Sequence, residues 1–352
     1  MSASDSCSII LWSADWTETT GQAIVTRRVV EYQSQIRWIK ASYGRGGLRS
    51  MFGLFQAIAR TYYSLFTRSA NTIYIVCSRS NAGFLRDVPA LLTAFFGVRV
   101  VVHTHGSDLP DLLNRPIIGW ITKCLYGKCE IIVPSVHLLA PLTDISRTRL
   151  HLVENFARPV RRTIKTKKNH LFRILWNSNI MASKGIKELV QGARLARESG
   201  IALELVILGR ALGDGESTLT EIEAYLNTLF CVEWITIRGH VTPEVAELEV
   251  AYADLVALPS NYPSECQPLA IVQAMCAGCK IIVADTPALR ATLGKYPGSV
   301  VPRNPESISR AILVEYTSPD INPDIVADVA ARFDPARFDA QMAVILRAQK
   351  HN

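Results

Sequence analysis

The chain has 352 residues, of which 49% are hydrophobic and 20% are charged, and this composition predicts a globular protein of about two domains. No apolar run approaches the roughly 18 residues of a transmembrane helix, which argues against a membrane-spanning protein. The formal net charge of +7 favours anionic partners: nucleic acid, acidic membranes or phosphorylated small molecules.

The first half of the chain alternates short β-branched runs with segments long enough to be crossover helices. Strands are predicted at residues 7–13, 36–42, 71–77, 98–106, 130–135 and 150–155. Strands that are joined by crossover helices pair in parallel. The pattern therefore predicts an α/β fold with a doubly wound sheet.

A basic segment, residues 158–170, separates the two halves and is typical of an interdomain linker, since it has six Lys or Arg and no acidic residue. Strands follow at 171–178, 203–210, 233–241, 254–260, 280–285 and 298–302, and the clearest helices are at 185–200, 216–230, 268–278 and 305–316. We expect Rossmann-like domains at 1–160 and 161–330 that face each other across a cleft, because ligands bind beyond the carboxyl ends of such strands. A helix within 331–352 is expected to pack back toward the first domain.

Eight cysteines are scattered over the predicted strands and helices, which favours buried thiols over a disulfide framework in a reducing compartment. Cys276 and Cys279 form a CxxC motif. Without a second pair or a histidine, this motif indicates zinc only weakly, and a helix end packed on a strand explains it better.

Glu265 and Gln273 stand eight residues apart across the predicted start of a helix. Pro268 suits a first helical turn, so Glu265 precedes the helix and Gln273 lies within it. The backbone N–H groups of Leu269 and Ala270 would favour a phosphate at the helix start, and the two polar side chains suit sugar and ribose hydroxyls. The spacing equally fits an ordinary helix, in which Glu265 merely favours the N-terminus electrostatically.

Four motifs in order carry a resemblance to a known family. They are "GQAIVTRRVVEYQ" (21–33), "VVVHTHGSD" (100–108), "NSNIMASKGIKELVQGARLA" (177–196) and "PSNYPSECQPLAIVQAMCAGCKIIVAD" (259–285). The sequence resembles the family 4 glycosyltransferases of the GT-B fold over nearly its whole length. The resemblance implies a retaining, metal-independent transfer of a hexose from a nucleotide diphosphate sugar to a saccharide or lipid-linked acceptor, in bacterial surface polysaccharide synthesis.

The resemblance also implies roles for individual residues. Glu265 takes the position that contacts the transferred sugar, and Gln273 takes that of a second Glu that binds the nucleotide ribose. Cys266 replaces a usual Gly. Because an amide has one acceptor oxygen where a carboxylate has two, Gln273 would weaken one ribose hydrogen bond by roughly 1 kcal/mol.

Further positions match the family's diphosphate site. Lys184 would neutralise the leaving group, and Gly21 would let the backbone approach the phosphates. Asn179 stands where the family often has an Arg, so Arg210 or Arg238 would have to supply the missing charge. Lys184 also suits a surface helix start, and Gly21 an ordinary turn. The expected donor-binding residues are Gly21, Lys184, Asn179, Arg210, His240, Leu269, Ala270 and Gln273.

His103 and His105 share one face of a predicted strand near its carboxyl end. An ordinary core histidine explains one of them. His105 matches the family's active-site histidine, so His105 and Glu265 are the expected catalytic residues. Asp108 would orient His105 or bind the acceptor.

The sequence has no Asp-x-Asp triplet, the pattern by which GT-A glycosyltransferases hold a divalent ion on the donor diphosphate. We therefore expect no metal ion and no other cofactor. In place of a metal, lysine, helix ends and glycine loops would stabilise the leaving diphosphate.

Residues 47–69 combine Arg49, Arg60 and Arg68 with Phe, Tyr, Leu and Met, a composition found in interfacial helices. Such a helix more often packs on a sheet. Membrane docking would suit a lipid-linked acceptor. The N-terminal apolar stretch is too short for a signal peptide, so we expect a cytoplasmic protein, at most peripheral on the inner face of the cytoplasmic membrane.

Three alternatives to transfer remain open: a nucleotide-sugar epimerase or hydrolase, a non-catalytic nucleotide-sugar binder, and nucleic-acid binding. The last lacks an aromatic and basic surface motif, so we expect no nucleic-acid partner. Incubation with donor alone distinguishes an epimerase from a transferase. Binding of a nucleotide diphosphate without turnover would favour the binder.

Overall fold

The computed structural model describes residues 7–14, 20–44, 47–77, 81–145, 149–158, 160, 162 and 171–348. These residues form two compact units. The first consists of the chain up to Asn155 together with residues from Ala336 onward, and the second is Phe156–Pro335. Most of the predicted linker at 158–170 lies outside the described residues.

The first unit contains a parallel sheet of six strands in the order β2-β1-β3-β4-β5-β6. The strands are β1 (Ser8–Ala14), β2 (Arg37–Tyr43), β3 (Thr72–Val76), β4 (Arg99–His103), β5 (Glu130–Val133) and β6 (Leu150–Leu152). The helices are α1 (Gly21–Tyr32), α2 (Gly47–Phe66), α3 (Asn81–Leu92), α4 (Leu109–Leu113), α5 (Pro116–Tyr126) and α6 (Leu139–Leu142).

The second unit contains a parallel sheet in the order β12-β11-β10-β7-β8-β9. Its strands are β7 (Phe172–Asn177), β8 (Leu203–Leu208), β9 (Ile235–Gly239), β10 (Leu255–Leu258), β11 (Lys280–Ala284) and β12 (Ser299–Val301). The helices are α7 (Ile186–Glu198), α8 (Leu219–Leu229), α9 (Pro243–Tyr252), α10 (Leu269–Cys276), α11 (Pro287–Leu293), α12 (Pro305–Thr317) and α13 (Pro323–Arg332). The strand order reverses between β7 and β10, which makes their carboxyl ends the place where a ligand binds in such sheets.

A last helix, α14 (Pro335–Arg347), belongs almost entirely to the first unit. Asp339 accepts two hydrogen bonds from Arg28, at 2.9 and 2.6 Å. Near the end of α14, Arg99 donates to the carbonyl oxygens of Ile345 (2.6 Å) and Leu346 (3.4 Å). Charged hydrogen bonds therefore attach both ends of this helix to the first sheet and its first helix.

Each of the predicted strands occurs in the structure, with ends that differ by a few residues. Parallel strands are covered by helices on both faces, so they consist of nearly continuous apolar residues that stand out in a sequence. In β11, for example, Ile281, Ile282 and Val283 are fully buried. The adjacent Lys280 is also buried, and its ammonium donates to the carbonyl oxygens of Glu315 and Ser318 at the end of α12.

All eight cysteines are free. The prediction that they are buried is wrong for Cys124 and Cys231, which are exposed. The thiols of Cys276 and Cys279 donate to the carbonyl oxygens of Val329 (3.9 Å) and Val250 (3.5 Å), and burial raises the pKa of both to about 12. The CxxC motif therefore packs a helix end against the core.

Within the described part of the chain, none of the helices has the length and apolar character needed to cross a membrane.

Candidate active site

Lys184 and Glu265 meet at the carboxyl edge of the second sheet, where the strand order reverses. Lys184 follows β7, and Glu265 follows the adjacent β10. Gly185 lets the two loops touch, since it has φ of +83° and a Cβ there would lie 2.3 Å from the carbonyl oxygen of Pro259. Only glycine fits both this backbone conformation and this space.

The ammonium of Lys184 lies 3.2 Å from Oε2 of Glu265 and donates to Oγ of Ser178 at 2.9 Å. Ser260 donates to the same Glu265 oxygen at 3.1 Å. Both charged side chains are only 11% exposed, and the Lys184 ammonium lies 5.5 Å from the Tyr262 ring centroid. The structure thus brings together a predicted phosphate ligand and a predicted sugar ligand as a nearly buried ion pair.

The loop that carries Lys184 is held by two residues that the sequence did not single out, Asp214 and Arg303. Ser183 N–H donates to Asp214 Oδ2 at 2.8 Å, and the Ser183 carbonyl accepts from Arg303 at 3.0 Å. The same carbonyl accepts from the N–H of Asn261 at 2.9 Å, which joins this loop to the one that carries Glu265. Lys184 is therefore fixed by its backbone as well as by its side chain.

Asp214 also organises its own loop, because Oδ1 accepts from the N–H groups of Glu216 (2.8 Å) and Ser217 (2.9 Å). Burial alone would raise the pKa of Asp214, but the hydrogen bonds from Ser183 and from these N–H groups outweigh it and lower the pKa. Arg303 in turn donates two hydrogen bonds of 3.0 Å to the Glu216 carboxylate. A small network of charged residues thus holds the loop that carries Lys184.

Helix α10 begins beside this ion pair. It starts at Leu269, one residue later than predicted, because Pro268 has extended backbone dihedrals and precedes the helix. Pro268, the residue before the helix, makes no side-chain capping hydrogen bond. Leu269, Ala270 and Gln273 are half-buried while the rest of α10 is buried. Residues three and four apart share one helix face, so Gln273 lies on the same half-buried face as Leu269 and Ala270. We call this the open face of α10.

The other residues of the second unit that the sequence predicts to bind the donor also lie at this carboxyl edge. Asn179 lies two residues after the end of β7, and Arg210 is exposed after β8. The two segments are joined by the hydrogen bond from Ile180 N–H to the Arg210 carbonyl, 2.8 Å. His240 is exposed after β9, three strand positions from β10 in the sheet. Arg238 pairs with buried Glu249 at 3.1 Å, so its charge is engaged away from the Lys184 loop.

In the first unit, His105 follows the carboxyl end of β4. It lines a small pocket together with Cys77, Thr104, Gly106, Asp108, Leu109 and Leu112. The His103 and His105 ring centroids are 4.3 Å apart. His103 is fully buried, its Nδ1 lies 2.6 Å from the Tyr74 hydroxyl, and burial lowers its pKa to about 3. His103 is therefore a neutral core histidine, as one reading of the sequence expects.

Gly21 is the first residue of α1, and Thr20 before it caps the helix, since its Oγ1 accepts from the N–H of Ala23 at 3.3 Å. Residues 15–19, which precede this cap, lie outside the described residues.

Residues 172–316 match the family model described as Glycosyl transferases group 1. The second unit carries a glycosyltransferase domain. The match covers all six strands of the second sheet and both residues of the central ion pair. No curated protein sequence matches the chain.

The fold of the whole chain is similar to several solved structures. Alr3699/HepE from Anabaena, solved with UDP and glucose, is 15% identical, with 97% of this chain and 99% of that chain covered and a TM-score of 0.72. Sucrose-phosphate synthase from Thermosynechococcus elongatus is 15% identical, with 97% and 98% covered and a TM-score of 0.75. WaaG, a glycosyltransferase involved in lipopolysaccharide biosynthesis, is 12% identical, with 97% and 100% covered and a TM-score of 0.65.

These likenesses confirm the predicted α/β fold of two Rossmann-like units, as in GT-B glycosyltransferases. The predicted enzyme class, a glycosyltransferase, is confirmed by the family match.

Proposed function

We propose that this protein is a family 4, retaining glycosyltransferase that moves a hexose from a nucleotide diphosphate sugar to a saccharide or lipid-linked acceptor. The observation that supports this most is the ion pair of Lys184 and Glu265 beside the start of α10. It combines, at one sheet edge, a cation and the N–H groups of a helix start for a diphosphate with a carboxylate for sugar hydroxyls.

Donor binding is proposed to redistribute the contacts of this pair. The Lys184 ammonium interacts in part with the diphosphate. The N–H groups of Leu269 and Ala270 and the exposed guanidinium of Arg210 also bind the diphosphate. Glu265 then accepts hydrogen bonds from the sugar, and Gln273 on the open face of α10 bonds the ribose. Asn179, His240 and Gly21 complete the proposed donor contacts. Since Ser178 and Ser260 already hold the pair, little reorganisation is needed.

The proposed reaction breaks the bond between sugar C1 and the phosphate oxygen, and the electron pair of that bond stays on the phosphate. The acceptor hydroxyl oxygen forms the new bond to C1 on the same face, and its proton passes to the leaving phosphate oxygen. Lys184 and the start of α10 stabilise the charge that develops there, which is the task that a metal ion would otherwise perform. His105 is proposed to contact the sugar near the reacting centre.

The solved relatives suggest where to begin. HepE is solved with UDP and glucose, so UDP-glucose is the first donor to test on this chain. WaaG is involved in lipopolysaccharide biosynthesis, which supports a place in bacterial surface polysaccharide synthesis.

The test uses the full chain. Thermal shift with UDP, GDP and ADP identifies the base, and the matching donor is then incubated with and without saccharide acceptors in the presence of EDTA. We expect nucleotide release that depends on the acceptor and persists in EDTA, and an NMR coupling constant that reports retention at C1.

Two matched pairs of variants connect this activity to the site. Glu265→Gln and Lys184→Ala should each lower turnover by at least about a hundredfold, whereas Glu223→Gln at an exposed position of α8 and Lys295→Ala at an exposed position after α11 should retain it. Release at the same rate without acceptor would indicate a hydrolase, and conversion of the donor to an isomer would indicate an epimerase. Binding without any turnover would indicate a non-catalytic binder, and each of these results contradicts the proposal.

A further inference from the structure

Helix α2 presents its aromatic side chains to solvent. Phe52, Phe55, Tyr63 and Phe66 are exposed, with Phe66 at 89%. The face that packs inward instead carries Ala57, Thr61 and Ser64. An amphipathic helix of a globular protein normally has the reverse arrangement. The helix thus packs inward, as the sequence predicts for most such helices, but through its small residues. Its aromatic residues remain exposed.

The exposed apolar surface continues onto neighbouring elements. The connections from β2 to β3, β3 to β4 and β4 to β5 all run in one direction across the sheet, so their right-handed crossovers put α2, α3 and α5 on one face. Tyr62 of α2 donates to the Pro89 carbonyl of α3 at 3.0 Å. Exposed apolar residues of α3, the 3-10 turn after it, and α5 include Leu85, Phe95, Phe96, Ile117, Trp120 and Ile121. We call these residues, with the four of α2, the aromatic face.

The charges around the aromatic face are mostly positive. From residue 32 to residue 86 the sequence has eight Lys or Arg and no Asp or Glu. Arg60 and Arg68 are exposed on and just after α2. On the α5 side Lys123 is exposed, and the ammonium of Lys128 lies 5.9 Å from the Phe95 ring centroid. The surface therefore combines exposed aromatic rings with a positive field.

We infer that the aromatic face docks on an anionic lipid bilayer, with its rings at the boundary of headgroups and acyl chains. Trp, Tyr and Phe favour this boundary, and exposed Arg and Lys attract acidic headgroups. An exposed apolar surface larger than a few hundred Å² marks an interaction site in a monomer. A second copy of the same face would bring like charges together, which disfavours a symmetric dimer.

This inference deepens the proposed function and rests on it in one respect, since a docked enzyme would meet a lipid-linked acceptor. The docking itself requires neither donor nor acceptor.

The test is sedimentation of the full chain with vesicles of phosphatidylcholine alone or mixed with phosphatidylglycerol. We expect binding to the anionic vesicles that weakens in high salt. Phe55→Ser with Phe66→Ser should lower the partition coefficient by at least about tenfold. The matched control is Phe230→Ser with Leu248→Ser, two exposed apolar residues of the second unit, and it should bind as the wild type does. Arg60→Gln with Lys123→Gln should weaken binding and reduce its salt dependence.

Three results would overturn the inference. The first is no binding to anionic vesicles, and the second is equal binding by the Phe55 and Phe66 variant. The third is a dimer in light scattering that these substitutions dissociate, because a second copy would then cover the face. Nucleotide release with a water-soluble acceptor is measured on the same samples. Vesicle binding without transfer would refute the proposed function alone, and transfer without vesicle binding would refute the docking alone.

Discussion

Gly185 lies against Pro259, so close that a Cβ on Gly185 would fall 2.3 Å from the Pro259 carbonyl oxygen. The contact joins the loop after β7 to the loop after β10, and these loops carry Lys184 and Glu265. Close approach of two backbones therefore sets the separation of the ion pair.

Gly185→Ala should lower both stability and donor turnover. The left-handed backbone costs about 1 kcal/mol for alanine, and the clash with Pro259 adds about 1–3 kcal/mol. Gly200→Ala is the matched control, because Gly200 has φ of +97° and nothing within 4 Å of its would-be Cβ. Urea unfolding measures both variants. Equal losses in the two would show that the close approach has no energetic role.

The pair of Lys184 and Glu265 should be energetically coupled. Because both side chains are nearly buried, Lys184→Met or Glu265→Gln alone should each cost about 2 kcal/mol, by leaving a partner charge uncompensated. The double variant should cost about 1 kcal/mol less than the sum of the single losses. A double-mutant cycle from urea unfolding measures this, and additive losses would contradict the coupling.

Arg303 should support catalysis through the backbone that it holds, without touching the donor. Arg303→Gln removes the hydrogen bond to the Ser183 carbonyl, so Lys184 should be held less firmly and kcat should fall by about tenfold. Arg290→Gln, which removes a surface pair with Asp285, is the control and should leave kcat unchanged. If Arg303→Gln changes stability but not kcat, its role is structural only.

Glu130 should make the first unit sensitive to acid. Burial alone would raise its pKa, but hydrogen bonds from His151 and Arg99 outweigh it and lower the pKa to about 2. Because the pKa of Glu130 is lower in the folded state than in the unfolded chain, its ionised carboxylate stabilises the fold. This stabilisation is fully present above the unfolded-state pKa of about 4.3 and is lost as the pH falls toward about 2. Since the carboxylate is partly exposed, we expect roughly 1 kcal/mol in this window.

Glu130→Gln should flatten the pH dependence of unfolding between these two pH values. Arg99 also holds the end of α14, so hydrogen exchange in α14 should increase in the variant. Unchanged acid sensitivity would mean that other carboxylates control it.

The sequence predicted the strands well and the contacts between them poorly. Lys184 and Glu265 were each predicted at a strand end, but their ion pair depends on β7 lying next to β10 in the sheet. The local sequence pattern does not predict this strand order. Asp214 and Arg303 were missed because the groups that they hold on the Lys184 loop are backbone groups distant in sequence, which leave no motif. Composition alone also could not show that the small residues of α2 face the core and its phenylalanines face solvent.

Gln273→Glu tests whether the open face of α10 binds the donor. Gln273 is half-buried on the same helix face as Leu269 and Ala270, and a carboxylate offers two acceptor oxygens to ribose where the amide offers one. The added charge lies in the second turn of α10, beyond the helix start where a phosphate would bind, so repulsion should be small. Donor affinity in calorimetry should therefore rise by severalfold or stay unchanged, while Glu223→Gln should leave it unchanged. A large loss of affinity would mean that this face of α10 does not meet the ribose.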